Sequence, residues 1–394
     1  MTLKNCADAL LHHATQLGSV AGVVAMATNR EGALYEGAFG ERVLGSGAAM
    51  GLDSVVWIAS MTKALTTTAA LQLVEQGKLD LDAPASNLAP LLGQARVLTG
   101  FDSAGQPLMR APKRPVTLRH LLTHTSGFGH ETWSADVQRV QAAWNIPRIG
   151  SGRKAALGAP LLFDPGERWQ YGIGIDWTGP LIEAASGQTL GAYLHEHVLG
   201  PLGMHSTAFR LTPELRSRLA KVHQRDPDGT LRPIPSEVVQ EPEFELGGGG
   251  LYSTAGDYLR FVRTILNDGF LEGARVLCSS TVLEMARNQI GELRVQAMRT
   301  ALPALSNDAE FLPGIDKTWG LGFQINLACT PTGRPAGGLM WAGLPNTFFW
   351  IDPLSGVGGV LLTQILPFAD KQAVALFEAF EAAVYESLGR GPRR

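Results

Sequence analysis

The segment Trp57-Ile58-Ala59-Ser60-Met61-Thr62-Lys63 leads into a run, residues 64–76, with neither proline nor glycine before Gly77. Leu65, Ala69, Leu73 and Val74 recur there at helical spacing, which predicts a helix that starts at Ser60 and stops at Gly77. In its first turn, residues three apart share a face, so the Ser60 hydroxyl and the Lys63 amine come within reach of each other. A serine hydroxyl becomes a nucleophile when a neighbour takes its proton. The partial positive charge of a helix N-terminus favours both the developing alkoxide and a neutral lysine. Ser60 and Lys63 are therefore the candidate nucleophile and base, against the plainer reading of an N-cap serine with a surface lysine. The spacing alone is a weak signal. Ser151-Gly152-Arg153-Lys154 repeats it in a polar, glycine-flanked stretch that reads as a solvated loop.

Outward from this helix, the two ends of the chain are strand-rich. Residues 20–30 and 33–43 read as a hairpin around Glu31-Gly32 after an amphipathic opening helix. Residues 320–327, 337–343, 346–353 and 357–366 read as an antiparallel meander closed by a helix at 370–388. Between them lie helical patterns at 117–127, 176–186, 190–199, 213–222 and 254–267, with residues 100–116 as an insert. Strands at both ends and helices between them predict an α/β (α+β) fold, in which the two ends complete one antiparallel sheet flanked by helices. The expected division is an α/β lobe from residues 1–59 and 247–394 and an inserted helical lobe from 60–246, with the active site in the cleft between them.

Composition narrows the function. The 394 residues carry 33 Lys plus Arg and 36 Asp plus Glu, a formal charge of −3, so neither nucleic acid nor an anionic membrane is an expected partner. A small-molecule substrate is. Three well-separated cysteines, Cys6, Cys278 and Cys329, suggest neither a disulfide framework nor a zinc site. Asp8, His12, His13 and Gln16 interrupt the opening segment, so it lacks the apolar core of a secretory signal, and no run is long enough to span a membrane. A cytoplasmic location is expected. There is no G-x-S-x-G, H-E-x-x-H, Walker loop or G-x-G-x-x-G. His195 and His197 face different sides of a helix, and Gly247–Gly250 is followed by no phosphate-binding lysine, so both read as structural. Trp133, Trp144, Trp169 and Trp177 either line an apolar acyl pocket or fill the core.

Trp57–Lys63 with its Ala/Thr-rich helix resembles the superfamily of penicillin-binding proteins and class C β-lactamases. Residues 118–128, 163–179, 201–209, 247–261 and 343–353 resemble its landmarks in the same order, over roughly residues 10–388. The resemblance implies a β-lactamase/transpeptidase-like fold. It also implies that Tyr171 is the second-motif tyrosine, moving protons with Lys63, and that the backbone amides of Ser60 and Leu344 form the oxyanion hole. Two positions depart from the pattern. The asparagine that follows that tyrosine is missing, with Ile173 and Gly174 in its place. The K-T-G strand motif reads Trp341-Ala342-Gly343, so the cation that holds a substrate carboxylate has become an indole, expected to be an apolar wall.

The second departure resembles family VIII carboxylesterases and the acyltransferases that load the side chain of statins. It implies a serine carboxylesterase that hydrolyses short-chain, uncharged esters through an acyl-enzyme on Ser60, with Trp341 and Gly343 against the substrate and no metal or organic cofactor. The alternatives are a β-lactamase or D-amino-acid peptidase, an acyltransferase to an alcohol, and a silent binding protein.

Overall fold

Asn29 ends β1 (Gly22–Asn29) and starts the turn into β2 (Ala33–Gly40), its side chain accepting the Glu31 and Gly32 amides at 3.0 and 2.8 Å. The computed structural model describes residues 2–389. The late strands are β3 (Lys317–Trp319), β4 (Gln324–Asn326), β5 (Leu339–Gly343), β6 (Thr347–Asp352) and β7 (Val357–Leu362). They form one antiparallel sheet in the order β3-β4-β5-β6-β7-β1-β2. The join is the pairing of β1 with β7, from Val24 opposite Leu362 to Asn29 opposite Val357. The two ends of the chain complete one sheet, as the distribution of strands predicts.

Both faces of this sheet are covered, because successive side chains point to opposite sides. On β6, Phe348 and Trp350 meet Phe377 of the closing helix, whereas Phe349 between them meets Tyr258 on the other face. The opening helix α1 (Leu3–Gln16) packs against that closing helix, Lys371–Ser387. The helix from the serine motif, α2 (Thr62–Glu75), is preceded by a tight turn at Ala59–Met61. It is not a half-exposed amphipathic helix: Thr62 to Leu73 are all buried. Two of its threonines spend their hydroxyls on carbonyls, Thr66 on that of Gly247 in a distant loop and Thr68 on that of Ala64 one turn back. Lys63 is therefore an interior lysine.

Then follow α3 (Leu118–Leu122), capped by Thr117 and His120, then α4 (Ala135–Trp144), α5 (Gly174–Ser186) and α6 (Ala255–Leu266), which packs on β7 and β1. Several expected elements are shorter than their patterns, among them α3, which ends at Leu122 and not near Gly127. The helix at 213 stops at Ser217, because the chain leaves to exchange backbone hydrogen bonds with Val55 through Arg218 and Ala220. Residues 320–323 turn, with Gly322 at φ +84°, and only then form β4. Ile365 and Leu366 leave the meander to pair in parallel with His223 and Gln224. The 100–116 insert belongs to a hairpin, Val97–Phe101 with Pro107–Arg110, tied down by a two-pronged bond from Arg110 to buried Asp164. No helix among the described residues is long and apolar enough to cross a membrane.

Candidate active site

The Ser60 turn is made by the backbone. Val56 and Trp57 pair with Ser253 and Tyr252, and the Ile58 amide donates to the Leu251 carbonyl at 3.0 Å. Ala59 then takes φ +44°, a left-handed conformation that costs a non-glycine residue about 1–3 kcal/mol. Its surroundings enforce it: the Tyr258 hydroxyl donates to the Met61 carbonyl at 2.9 Å, and the Leu251 amide donates to Thr62 Oγ1 at 3.1 Å.

Lys63 is 2% exposed, and its Nζ donates to Ser60 Oγ at 3.1 Å and to the Gly248 carbonyl at 2.5 Å. The Tyr171 ring lies 4.8 Å from Lys63 Nζ, and the Tyr171 hydroxyl donates to Ser60 Oγ at 2.7 Å. Tyr171 is fixed from behind by His124, itself left-handed at φ +57°. His124 accepts the Gly172 amide on Nδ1 at 3.3 Å and the Gln170 amide on its carbonyl at 2.9 Å, and its ring packs 4.6 Å from that of Tyr171. Burial holds this imidazole well below the usual histidine range, so it stays neutral.

β5 ends against the same turn. A Cβ on Gly343 would stand 2.2 Å from the Ile58 carbonyl oxygen, so only glycine permits the approach. The chain reverses at Leu344–Asn346, where the buried Asn346 side chain donates to the Ile365 and Pro367 carbonyls and accepts the Asp370 amide. Ser60 and Leu344 both line a cavity of about 330 Å³, and neither backbone N–H has a protein acceptor among the described residues. Trp57, Trp133, Ile149, Leu246 and Leu305 make the cavity wall mostly apolar.

Trp341, expected as a wall of this cleft, instead lies behind Tyr171, 2% exposed, in a cluster with Trp319 and Phe311. Its indole N–H donates to the Tyr171 hydroxyl at 3.4 Å, a long bond. Trp341→Phe, which keeps an aromatic ring but removes the five-membered ring that carries the donor, is expected to lower kcat roughly two- to tenfold with little change in KM. Unchanged kcat would leave Trp341 a packing role alone.

Trp133 lines the cleft, but Trp144 and Trp177 line a separate cavity of about 410 Å³, and Trp169 packs on Trp319. The second Ser-x-x-Lys is split between the two. Ser151 is on the cleft rim and Lys154 faces the other cavity, on successive short helical turns rather than a free loop. Among the described residues no group of three His, Cys, Asp or Glu side chains is arranged to hold a metal.

The sequence reading passed over Asp176 and His130, both in the cleft wall. Burial lowers the His130 pKa and raises that of Asp176, the latter opposed by the nearby Lys63 charge. The signal was a single acid among Gly174, Ile175 and Trp177 in the first turn of α5.

The chain matches the β-lactamase family over residues 7–383. It belongs to that family. Within it, the chain is 32% identical to monacolin J acid methylbutanoyltransferase of Aspergillus terreus over 386 residues, covering 94% of this chain and 93% of the relative. It is also 32% identical to lovastatin esterase of Penicillium rubens, over 96% of this chain and 97% of the relative. The structure of the LovD6 mutant of simvastatin synthase from Aspergillus terreus superposes with a TM-score of 0.85 at 31% identity, covering 98% of this chain and 95% of that one. The fold is thus the β-lactamase/transpeptidase-like one, and these members of the β-lactamase family are named for acyl transfer and ester hydrolysis.

Proposed function

We propose that this protein is a serine carboxylesterase acting on short-chain, uncharged esters through an acyl-enzyme on Ser60. The observation that carries the reading is the convergence of Lys63 Nζ and Tyr171 Oη on Ser60 Oγ, at 3.1 and 2.7 Å. Ser60 Oγ attacks the ester carbonyl carbon as its proton passes to the Lys63–Tyr171 pair, and the amides of Ser60 and Leu344 receive the oxyanion. The bond to the alcohol oxygen then breaks, the pair returns the proton to the leaving alkoxide, and the acyl group remains on Ser60. Water repeats the attack, losing its proton to the same pair, and the acid departs as Ser60 Oγ regains its hydrogen. The apolar cleft suits an uncharged acyl group, and a methylbutanoyl group, named in a relative, is short and branched.

A second reading, transfer of the acyl group to an alcohol, draws on the same relatives, one of them named as a transferase. An apolar wall around the acyl-enzyme favours an alcohol over water.

The test compares p-nitrophenyl butyrate with a chromogenic cephalosporin, with and without added alcohols. Ester turnover that far exceeds lactam turnover is expected. Dominant lactam turnover would overturn the reading in favour of a β-lactamase, and ester products formed only with an alcohol present would make the protein a transferase. Inactivity on both, with no adduct from a serine-reactive phosphonate, would leave a silent binding protein.

A further inference from the structure

Asp176 is a carboxylate in an apolar place. It is 4% exposed on the first turn of α5, between Ile175 and Trp177, and lines the cleft with Lys63 and Ser60. One oxygen, Oδ1, accepts the Gly248 amide at 3.0 Å. The other, Oδ2, accepts a hydrogen bond from no group among the described residues, and no cation forms an ion pair with it there. This oxygen opens onto the cleft, where a donor carried on a bound molecule can take the place of water.

The space in front of Oδ2 is kept open by the backbone. A Cβ on Gly248 would stand 2.3 Å from this oxygen, so any other residue there would cover it. Gly248 also accepts a hydrogen bond from Lys63 Nζ on its carbonyl, so a group bound at Oδ2 is held one residue from the amine that serves Ser60. The polarity is the reverse of that expected from the second motif. Where an asparagine amide would donate to a substrate carbonyl, Ile173 is apolar, and Asp176, when ionised, offers an acceptor.

We propose that the cleft recognises esters carrying a free hydroxyl or amino group near the scissile carbonyl, which donates a hydrogen bond to Asp176 Oδ2. The inference rests on the site of the proposed function and not on its chemistry, so its test needs no turnover. In the Ser60→Ala protein, binding of phenyl 3-hydroxybutyrate, phenyl 3-aminobutyrate and phenyl butyrate is measured by calorimetry. The hydroxy ester, the amino ester or both are expected to bind roughly tenfold tighter than the unsubstituted ester, and the comparison between those two shows which donor the site takes. Adding Asp176→Asn, which keeps an oxygen for the Gly248 amide but turns an NH₂ toward the cleft, should abolish the preference and favour phenyl 3-oxobutyrate instead. Equal binding of all three esters in Ser60→Ala would overturn the proposal without any further variant. So would a preference that survives Asp176→Asn. Failure of wild type to label with a phosphonate would count against the esterase reading and leave this binding comparison intact.

Discussion

Ser60→Ala is expected to lose all covalent labelling by a serine-reactive phosphonate and all ester turnover above background, with an unchanged melting temperature. The hydroxyl is the atom on which Lys63 and Tyr171 converge, and removing it leaves both partners their other contacts. Lys63 keeps the Gly248 carbonyl, and Tyr171 keeps the Trp341 indole and the His124 ring. The fold therefore loses little while the chemistry loses its nucleophile. Lys63→Ala and Tyr171→Phe should each lower acylation by about 10²–10⁴-fold, the usual worth of a positioned proton-transfer group. Because the two groups act on one proton, the double variant should fall little below the worse single one. Near-normal acylation in either single variant would remove that residue from the mechanism, and effects that multiply would show that the two act independently.

Gly172→Ala should unseat the second of these partners without touching any reacting group. A Cβ on Gly172 would lie 1.7 Å from the Phe128 carbonyl oxygen and 3.1 Å from the Gly129 Cα. These obstacles are backbone, which cannot swing aside as a flexible side chain can. The segment must move, breaking the Gly172 amide bond to His124 and shifting the adjacent Tyr171 away from Ser60. Overpacking of this kind typically costs about 1–3 kcal/mol and occasionally more. The expected result is a clear fall in melting temperature together with loss of acylation at least as large as that of Tyr171→Phe. Urea titration and phosphonate labelling measure the two effects separately, and full activity in a stable Gly172→Ala protein would show that the loop yields without moving Tyr171.

Much of the architecture was legible because its elements carry local signals. α2 has a glycine stop, α6 has Thr254 accepting the Asp257 amide as its cap, and β1 and β2 flank a turn that Asn29 itself builds. Elements decided by distant partners were not. Nothing local ends the helix at Ser217; a bond to Val55 does. α4 did carry a cap, Ser134 accepting the Val137 amide, but its mixed face, with Gln138, Arg139 and Gln141, hides the apolar stripe. At the site, residue types and spacing pointed to Ser60 and Lys63, and the family pattern to Tyr171. The left-handed Ala59, the brace by His124 and the free oxygen of Asp176 depend on what the fold brings beside them, and a single sequence does not display that.

The seam between β1 and β7 also orders events during synthesis. The hairpin of β1 and β2 leaves the ribosome early, yet the strand that pairs along the open side of β1 spans Val357–Leu362. Throughout translation of the intervening three hundred or so residues, that hairpin carries a row of unsatisfied amides and carbonyls, the template on which nascent chains aggregate. The serine and its lysine are made long before the sheet behind them can close, so a chain stalled short of residue 357 has its catalytic helix but no finished wall to hold it.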